Sequence, residues 1–276
     1  MRQVERVVRG EAMEEGAGVR IARLVGTSRL QMLDPFLMLD HFDSADAADY
    51  LAGFPDHPHR GFETVTYMLE GRMRHADNKG HAGVIETGGV QWMRAGRGIV
   101  HSEMPEQQQG RMRGFQLWVN LPARLKMTPP GYQEFPAARM GRETRDGGVE
   151  LVVVAGRTSG GTAGPVEAPH VDALYVDIVL PPGARFEEPV PETHSAMLVV
   201  YEGAVAIGDG AMIDAISVAA LGAGDRVGAV AGPGGARCLL IAGRPIGEPV
   251  AWGGPFVMNT RAEVMQAFAD YQSGRF

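Results

Sequence analysis

Two stretches of this chain end a strand in the same way and continue into the same series of turns, and this recurrence restricts the fold more than any other feature. YMLEG (Tyr67–Gly71) closes one apolar run and VVYEG (Val199–Gly203) closes another. Each is followed by a short polar strand, a glycine-marked turn (Thr87 to Gly89 in the first, Gly222 to Gly224 in the second) and a further strand. The similar spacing reads as two copies of one β-barrel in tandem, the alternative being chance recurrence among glycine-rich β segments. With 38 Gly and 18 Pro, the chain has the turn density of many short strands rather than long helices.

Between the copies, Leu121 to Gly148 carries Pro122, Pro129, Pro130 and Pro136 and then a charged, glycine-bearing run. Proline removes backbone donors and interrupts ladders, so this stretch reads as a connector with at most a helical turn. The expected division is a barrel over 1–121, a linker over 122–148, and a second barrel with a terminal helix over 149–276. For that helix, Thr260 and Glu263 have capping-box spacing, and Val264, Met265, Phe268 and Tyr271 recur at helical intervals.

The net charge of −7 disfavours direct nucleic-acid binding. The Arg111/Arg113 pair and the Arg139–Arg145 run lack a stacking platform and read as solvated surface. Cys238 is the single cysteine, so neither an internal disulfide nor a CxxC motif exists. No apolar run approaches the ~18 residues of a membrane span, the N-terminal residues lack an apolar signal core, and a cytoplasmic protein is expected.

Six of the eight histidines fall between His41 and His101. His57 and His59 are one residue apart, and on a strand positions i and i+2 share a face. His101 and Glu103 repeat that spacing. Two such strands supply three imidazole nitrogens and one carboxylate oxygen to a single metal ion. A donor set without thiolate argues against a closed structural zinc site. Affinity alone does not choose among Fe(II), Mn, Co, Ni and Zn; Fe(II) is the first expectation. A six-coordinate ion held by four side chains keeps about two positions for other ligands. Asp40, His41, His75 and His81 either line this site or serve turns and surface, the second reading being preferred. Phe54, Phe62, Met68, Trp92, Met93, Met104 and Phe115 adjoin the ligand strands; they either wall a pocket or, for the most part, fill the core.

The runs DPFLMLDHF (Asp34–Phe42), FPDHPHRGFETVTYMLEG (Phe54–Gly71), QWMRAGRGIVHSEMP (Gln91–Pro105), QLWVNLP (Gln116–Pro122) and GPFVMNT (Gly254–Thr260) resemble the pirin family of the cupin superfamily. The resemblance covers nearly the whole chain. It implies an all-β fold of two tandem cupin (double-stranded β-helix, or jelly-roll) barrels with a short C-terminal helix, and metal in the first barrel only. It places the family's ligand positions on His57, His59, His101 and Glu103. Matching Gly71 with Gly203 sets Pro189 and Pro191 against His57 and His59, and Ala231 to Ala236 against the other pair, so one ion per chain is expected. Glu63, four residues after His59, is nominally on the same face, but the family's carboxylate ligand comes from the later segment. Glu63 is therefore expected to hydrogen-bond a ligand imidazole. The activity implied is a dioxygenase of quercetin 2,3-dioxygenase type, opening a small aromatic, flavonol-like substrate with O2, with Glu103 as general base. The rival implied reading is an iron- and redox-dependent regulator that binds a protein partner.

Overall fold

The computed structural model describes residues 1–208 and 210–276. In chain order its strands begin with β1 (Val4–Arg9), β2 (Glu11–Glu15), β3 (Val19–Val25) and β4 (Phe36–Ser44). β5 (Phe54–His59), β6 (Phe62–Glu70), β7 (Met73–Asp77), β8 (Ala82–Ile85), β9 (Val90–Arg94), β10 (Ile99–Pro105) and β11 (Met112–Asn120) follow. A short helix α1 (Ala123–Lys126) leads to β12 (Gly131–Phe135), β13 (Gly141–Arg145), β14 (Val149–Ala155), β15 (Leu174–Leu180) and β16 (Arg185–Pro189). The long strands β17 (Ser195–Ile207) and β20 (Arg226–Gly243) flank β18 (Met212–Asp214) and β19 (Ser217–Leu221). The hairpin β21 (Ala251–Gly253) and β22 (Phe256–Met258) precedes α2 (Arg261–Gln272). No helix among the described residues is long and apolar enough to cross a membrane.

The chain sorts into two compact units, each a cupin-like barrel. One comprises Ala12–Arg23, Phe36–Ala137 and Ile246–Phe276, the other Met1–Glu11, Leu24–Pro35 and Ala138–Pro245. This differs from the division expected from composition. The terminal segment 246–276, assigned by sequence to the second barrel, groups with the first, whereas β1 pairs with β19 of the second. The expected linker carries two strands besides its helical turn. β12 is the edge strand beside β9, and β13 pairs with β14. Proline at 129, 130 and 136 brackets β12 without interrupting it, as strand-edge prolines do.

In the first barrel a seven-stranded sheet (β12-β9-β6-β11-β4-β3-β2) is complemented by a four-stranded one (β5-β10-β7-β8). Alternation sets the inside. In β3, Val19 and Ile21 are buried while Arg20 is exposed. Ile21, Phe42, Met68, Met73, Ile85 and Met112 close one part of the interior. The second barrel has a large apolar core that includes Leu151, Val176, Ile178, Phe186, Val227 and Leu240.

The internal repeat is real, but its register differs from the sequence matching. Gly98, at φ 140°, opens β10, and Gly224, at φ 142°, stands just before β20. The turn equivalent to Gly222–Gly224 is therefore Gly96–Gly98, one strand later than Thr87–Gly89, because the β17–β18 hairpin is shorter than its counterpart. His57 faces His101 across β5 and β10, and Glu188 faces Val227 across β16 and β20. Glu188, not Pro189, thus stands at the place of His57, and Val227 at that of His101. Glu188 is buried, paired with Arg145 Nη2 at 2.5 Å and accepting the Ser159 amide at 2.6 Å.

Candidate metal centre

The ladder between β5 and β10 assembles the site. Antiparallel pairing sets His57 directly opposite His101, and the i, i+2 spacing brings His59 onto the same face. Ring centroids lie 4.4 Å apart for His57–His101, 4.7 Å for His57–His59 and 5.1 Å for His59–His101. One ligand atom from each of the three lies within 4.8 Å of the others, as a shared ion requires.

The chemistry of these nitrogens fits a metal. His59 and His101 are buried, and neither His59 Nδ1 nor the two nitrogens of His101 have a hydrogen-bond partner. Burial, reinforced by the neighbouring imidazoles, holds both rings well below the ordinary histidine range, so they are neutral donors of lone pairs. His57 is half-buried, and its Nδ1 lies 2.8 Å from the Pro55 carbonyl. A proton on Nδ1 makes that bond and leaves Nε2 with its lone pair. Buried polar groups without partners are costly, and an ion offsets that cost.

Glu103 is buried and lines the same cavity, yet it falls outside the three-histidine group. Its Oε1 is 2.7 Å from Thr66 Oγ1 and its Oε2 accepts from Gln116 Nε2 at 2.8 Å. Thr66 Oγ1 is also 2.7 Å from Gln116 Oε1.

Glu63 has turned to the other face. Gly61, at φ 91°, breaks the run between β5 and β6, and a side chain there would meet the Val257 carbonyl at 2.0 Å. The even offset from His59 therefore carries no facing information across it. The partners described for Glu63 are the Trp92 indole, donating at 2.6 Å, and Arg94 at 3.6 Å. Asp40 does line the cavity, against the preferred reading. His41 stacks on Phe115, His75 lies 2.7 Å from Glu134, and exposed His81 lies 3.3 Å from Asp77. Of the seven apolar candidates only Phe54 lines the cavity; Phe62 supports it by stacking on Trp118 and meeting His59 edge-on.

The cavity measures about 660 Å³, the size of a site for a molecule of several rings. Its aromatic wall includes Phe42, Phe54, Trp118 and Trp252, the last two 5.8 Å apart. Trp252, from the terminal hairpin, and Arg23, from β3, escape a sequence reading because neither lies near the histidine motifs.

Comparison with known proteins identifies the family and the fold. The profile of the family described as Pirin matches residues 18–119, and that of the Pirin C-terminal cupin domain matches 175–276. The chain belongs to the pirin family. This pirin is similar to a pirin-like protein of Caulobacter vibrioides, at 63% identity over 100% of this chain and 99% of the relative. It superimposes on the crystal structure of a quercetin 2,3-dioxygenase from Acinetobacter baumannii with a TM-score of 0.91 at 34% identity, covering 100% of this chain and 98% of that one. The fold is shared with the Escherichia coli pirin YhhW in complex with nickel(II), at a TM-score of 0.65, 19% identity and coverage of 87% and 99%.

Proposed function

We propose that this pirin is a metal-dependent dioxygenase of quercetin 2,3-dioxygenase type. In this reading dioxygen opens the central ring of a flavonol-like substrate and carbon monoxide leaves. The observation that carries it is the three-histidine cluster, with buried, unpartnered nitrogens, whose His57 and His59 line an aromatic-walled cavity of about 660 Å³. The overlap with the Acinetobacter baumannii quercetin 2,3-dioxygenase supports it.

His57, His59 and His101 hold a divalent ion, with Glu103 as the fourth donor. Fe(II) is the first candidate, and the donor set also accepts Mn, Co, Ni or Zn. A bound ion supplies Lewis acidity to a substrate hydroxyl and, as Fe(II), a redox couple for dioxygen. Glu103 removes the hydroxyl proton. The surroundings of Glu103 Oε1 accommodate both of its states, because the single proton of Thr66 can go either way. With Glu103 ionised, Thr66 donates to Oε1; with Oε1 protonated, Oε1 donates to Thr66, which turns its proton to Gln116 Oε1. Gln116 Nε2 holds the other oxygen throughout. The aromatic wall orients a flat substrate and keeps bulk water from the ring being opened.

The test is to load the protein anaerobically with each of the five metals, add quercetin, admit oxygen, and follow flavonol loss and carbon monoxide. Turnover with at least one metal, abolished in His101→Ala, is the expected result. Absence of turnover with all five overturns the dioxygenase reading and favours a regulator that uses the same ligands.

A further inference from the structure

Inside the first barrel, polar side chains continue around the wall far beyond what a metal centre needs. Gln116 donates to Glu103, and the Thr66 hydroxyl lies 2.7 Å from an oxygen of each. Gln116 on β11 is the register partner of Asp40 on β4, and both line the cavity. Arg23 on β3 then grips Asp40 through two bonds of 2.8 Å, Nε to Oδ1 and Nη2 to Oδ2, and reaches Glu15 at 2.8 Å. The row thus runs from β10 through β6 and β11 to β4 and β3, two to three strands away from Glu103.

The second barrel shows that the fold does not require this row. At the same strand pair there, β15 against β20, the inward residues are Val176 opposite Leu240 and Ile178 opposite Cys238, all in the apolar filling. From β14, the neighbour on the other side, Leu151 and Val153 fill the space. Apolar packing of such a wall is at least as stable as a buried ion pair. A charged wall facing an open cavity is therefore a site feature rather than a packing solution.

Its chemistry selects the ligand. Arg23 occupies one acceptor direction on each Asp40 oxygen, leaving further lone pairs on a carboxylate whose side chain is 7% exposed. Away from the histidines and Glu103, whose charge a divalent ion offsets, the lining holds three carboxylates (Glu15, Asp40 and Asp56) against one guanidinium, so this end of the cavity disfavours phosphates and carboxylates. A neutral hydroxyl donor on an aromatic frame suits it.

We propose that Asp40 is a specificity-determining residue that accepts a hydrogen bond from a hydroxyl on the end of the substrate remote from the histidines, with Arg23 as its positioning residue. The substrate class is then a polyhydroxylated, uncharged polycyclic aromatic. This deepens the dioxygenase reading and rests on it for the flavonol frame, but the contact itself is testable by binding alone.

The experiment measures dissociation constants for the metal-loaded protein without oxygen, using four probes. Two are flavonols, with and without one hydroxyl at the far end of the pendant ring; two are the matching flavones, which lack the hydroxyl beside the carbonyl. In the wild type the pendant hydroxyl tightens binding about tenfold in both pairs, as a bond to a buried charged acceptor does. In Asp40→Ala that advantage disappears while metal content is unchanged. Asp40→Asn keeps the volume and guards against a folding failure; it also loses most of the advantage. An advantage that persists in the folded Asp40 variants overturns the proposal, as does the absence of any advantage in the wild type. If flavonols bind no better than flavones and oxygen admitted afterwards brings no flavonol loss, yet the Asp40-dependent advantage remains, the dioxygenase reading fails and the hydroxyl contact stands. If none of the four binds, both are overturned.

Discussion

The side chains around the cavity divide by what each exchanges with a ligand. Glu103 is assigned both a lone pair for the ion and the substrate proton; His57, His59 and His101 are assigned lone pairs alone. Glu103→Gln keeps the shape and a donor oxygen but removes the base. It is expected to lower kcat by about 100-fold or more, with metal content within about twofold of wild type, read by turnover assay and metal analysis. Asp40 gives a pH signature. Burial pushes its carboxyl up to about 6 against the opposing pull of Arg23. Below that value the group is protonated and accepts a phenolic hydrogen bond poorly; above it the carboxylate accepts well. The advantage of the pendant hydroxyl in binding should therefore grow as pH rises through about 6, and a binding titration of Asp40→Asn should show no such step. The histidines were legible in the sequence because a two-residue period on a strand is a one-dimensional record of a shared face. Asp40 was named only as one of two readings and Arg23 not at all, since their meaning lies in strand neighbours far apart along the chain. Glu63 was misread because the Gly61 turn cancels the parity on which the reading depended.

At the scale of elements, the terminal segment is held to the metal strands by polar ties. Lys126 Nζ, buried, donates to Gly61 O and Asn120 Oδ1 at 2.7 Å each and to Val257 O at 2.9 Å, joining α1, the β5–β6 turn, the end of β11 and β22. Lys126→Met leaves three acceptors without that donor and is expected to cost about 3 kcal/mol or more, measured by urea unfolding. Arg60, next to His59, pairs with Asp270 of α2 at 2.7 Å and lies 4.4 Å from the Phe276 ring centroid. The α2 cap forms as its sequence predicted, Thr260 accepting from the Glu263 amide at 3.2 Å and Glu263 returning to the Thr260 amide at 2.8 Å. Thr260→Ala should cost about 1 kcal/mol in the same assay. The packing face follows the period except at one position: Val264 is buried and Phe268 and Tyr271 meet the Phe256 ring, with Ala267 buried between them, whereas Met265 is exposed. Lys126 went unnoticed because a lysine among prolines has the composition of a linker, and only the fold gives it three carbonyl-type acceptors.

For the molecule as a whole, one barrel architecture is used in two ways. In the first, the β5–β10 ladder carries histidines and the wall beside it stays polar around a cavity. In the second, the corresponding positions hold Glu188, tied to Arg145, and Val227, within an apolar filling. Duplication was visible in the sequence because strand ends and turn glycines recur. Its register was not, because a shorter hairpin in the second copy shifts every position after it. The exchange of terminal segments was equally hidden: local propensity marks β1 and α2 as a strand and a helix, but not which core receives them. The central claim is that the histidine cluster of the first barrel holds one metal ion per chain. Metal analysis of the protein reconstituted with Fe(II), beside its His101→Ala variant, tests this most directly. One ion per chain in the wild type, and loss of most of it in the variant, is the predicted result. Two ions per chain, or an unchanged content in a folded His101→Ala protein, contradicts it.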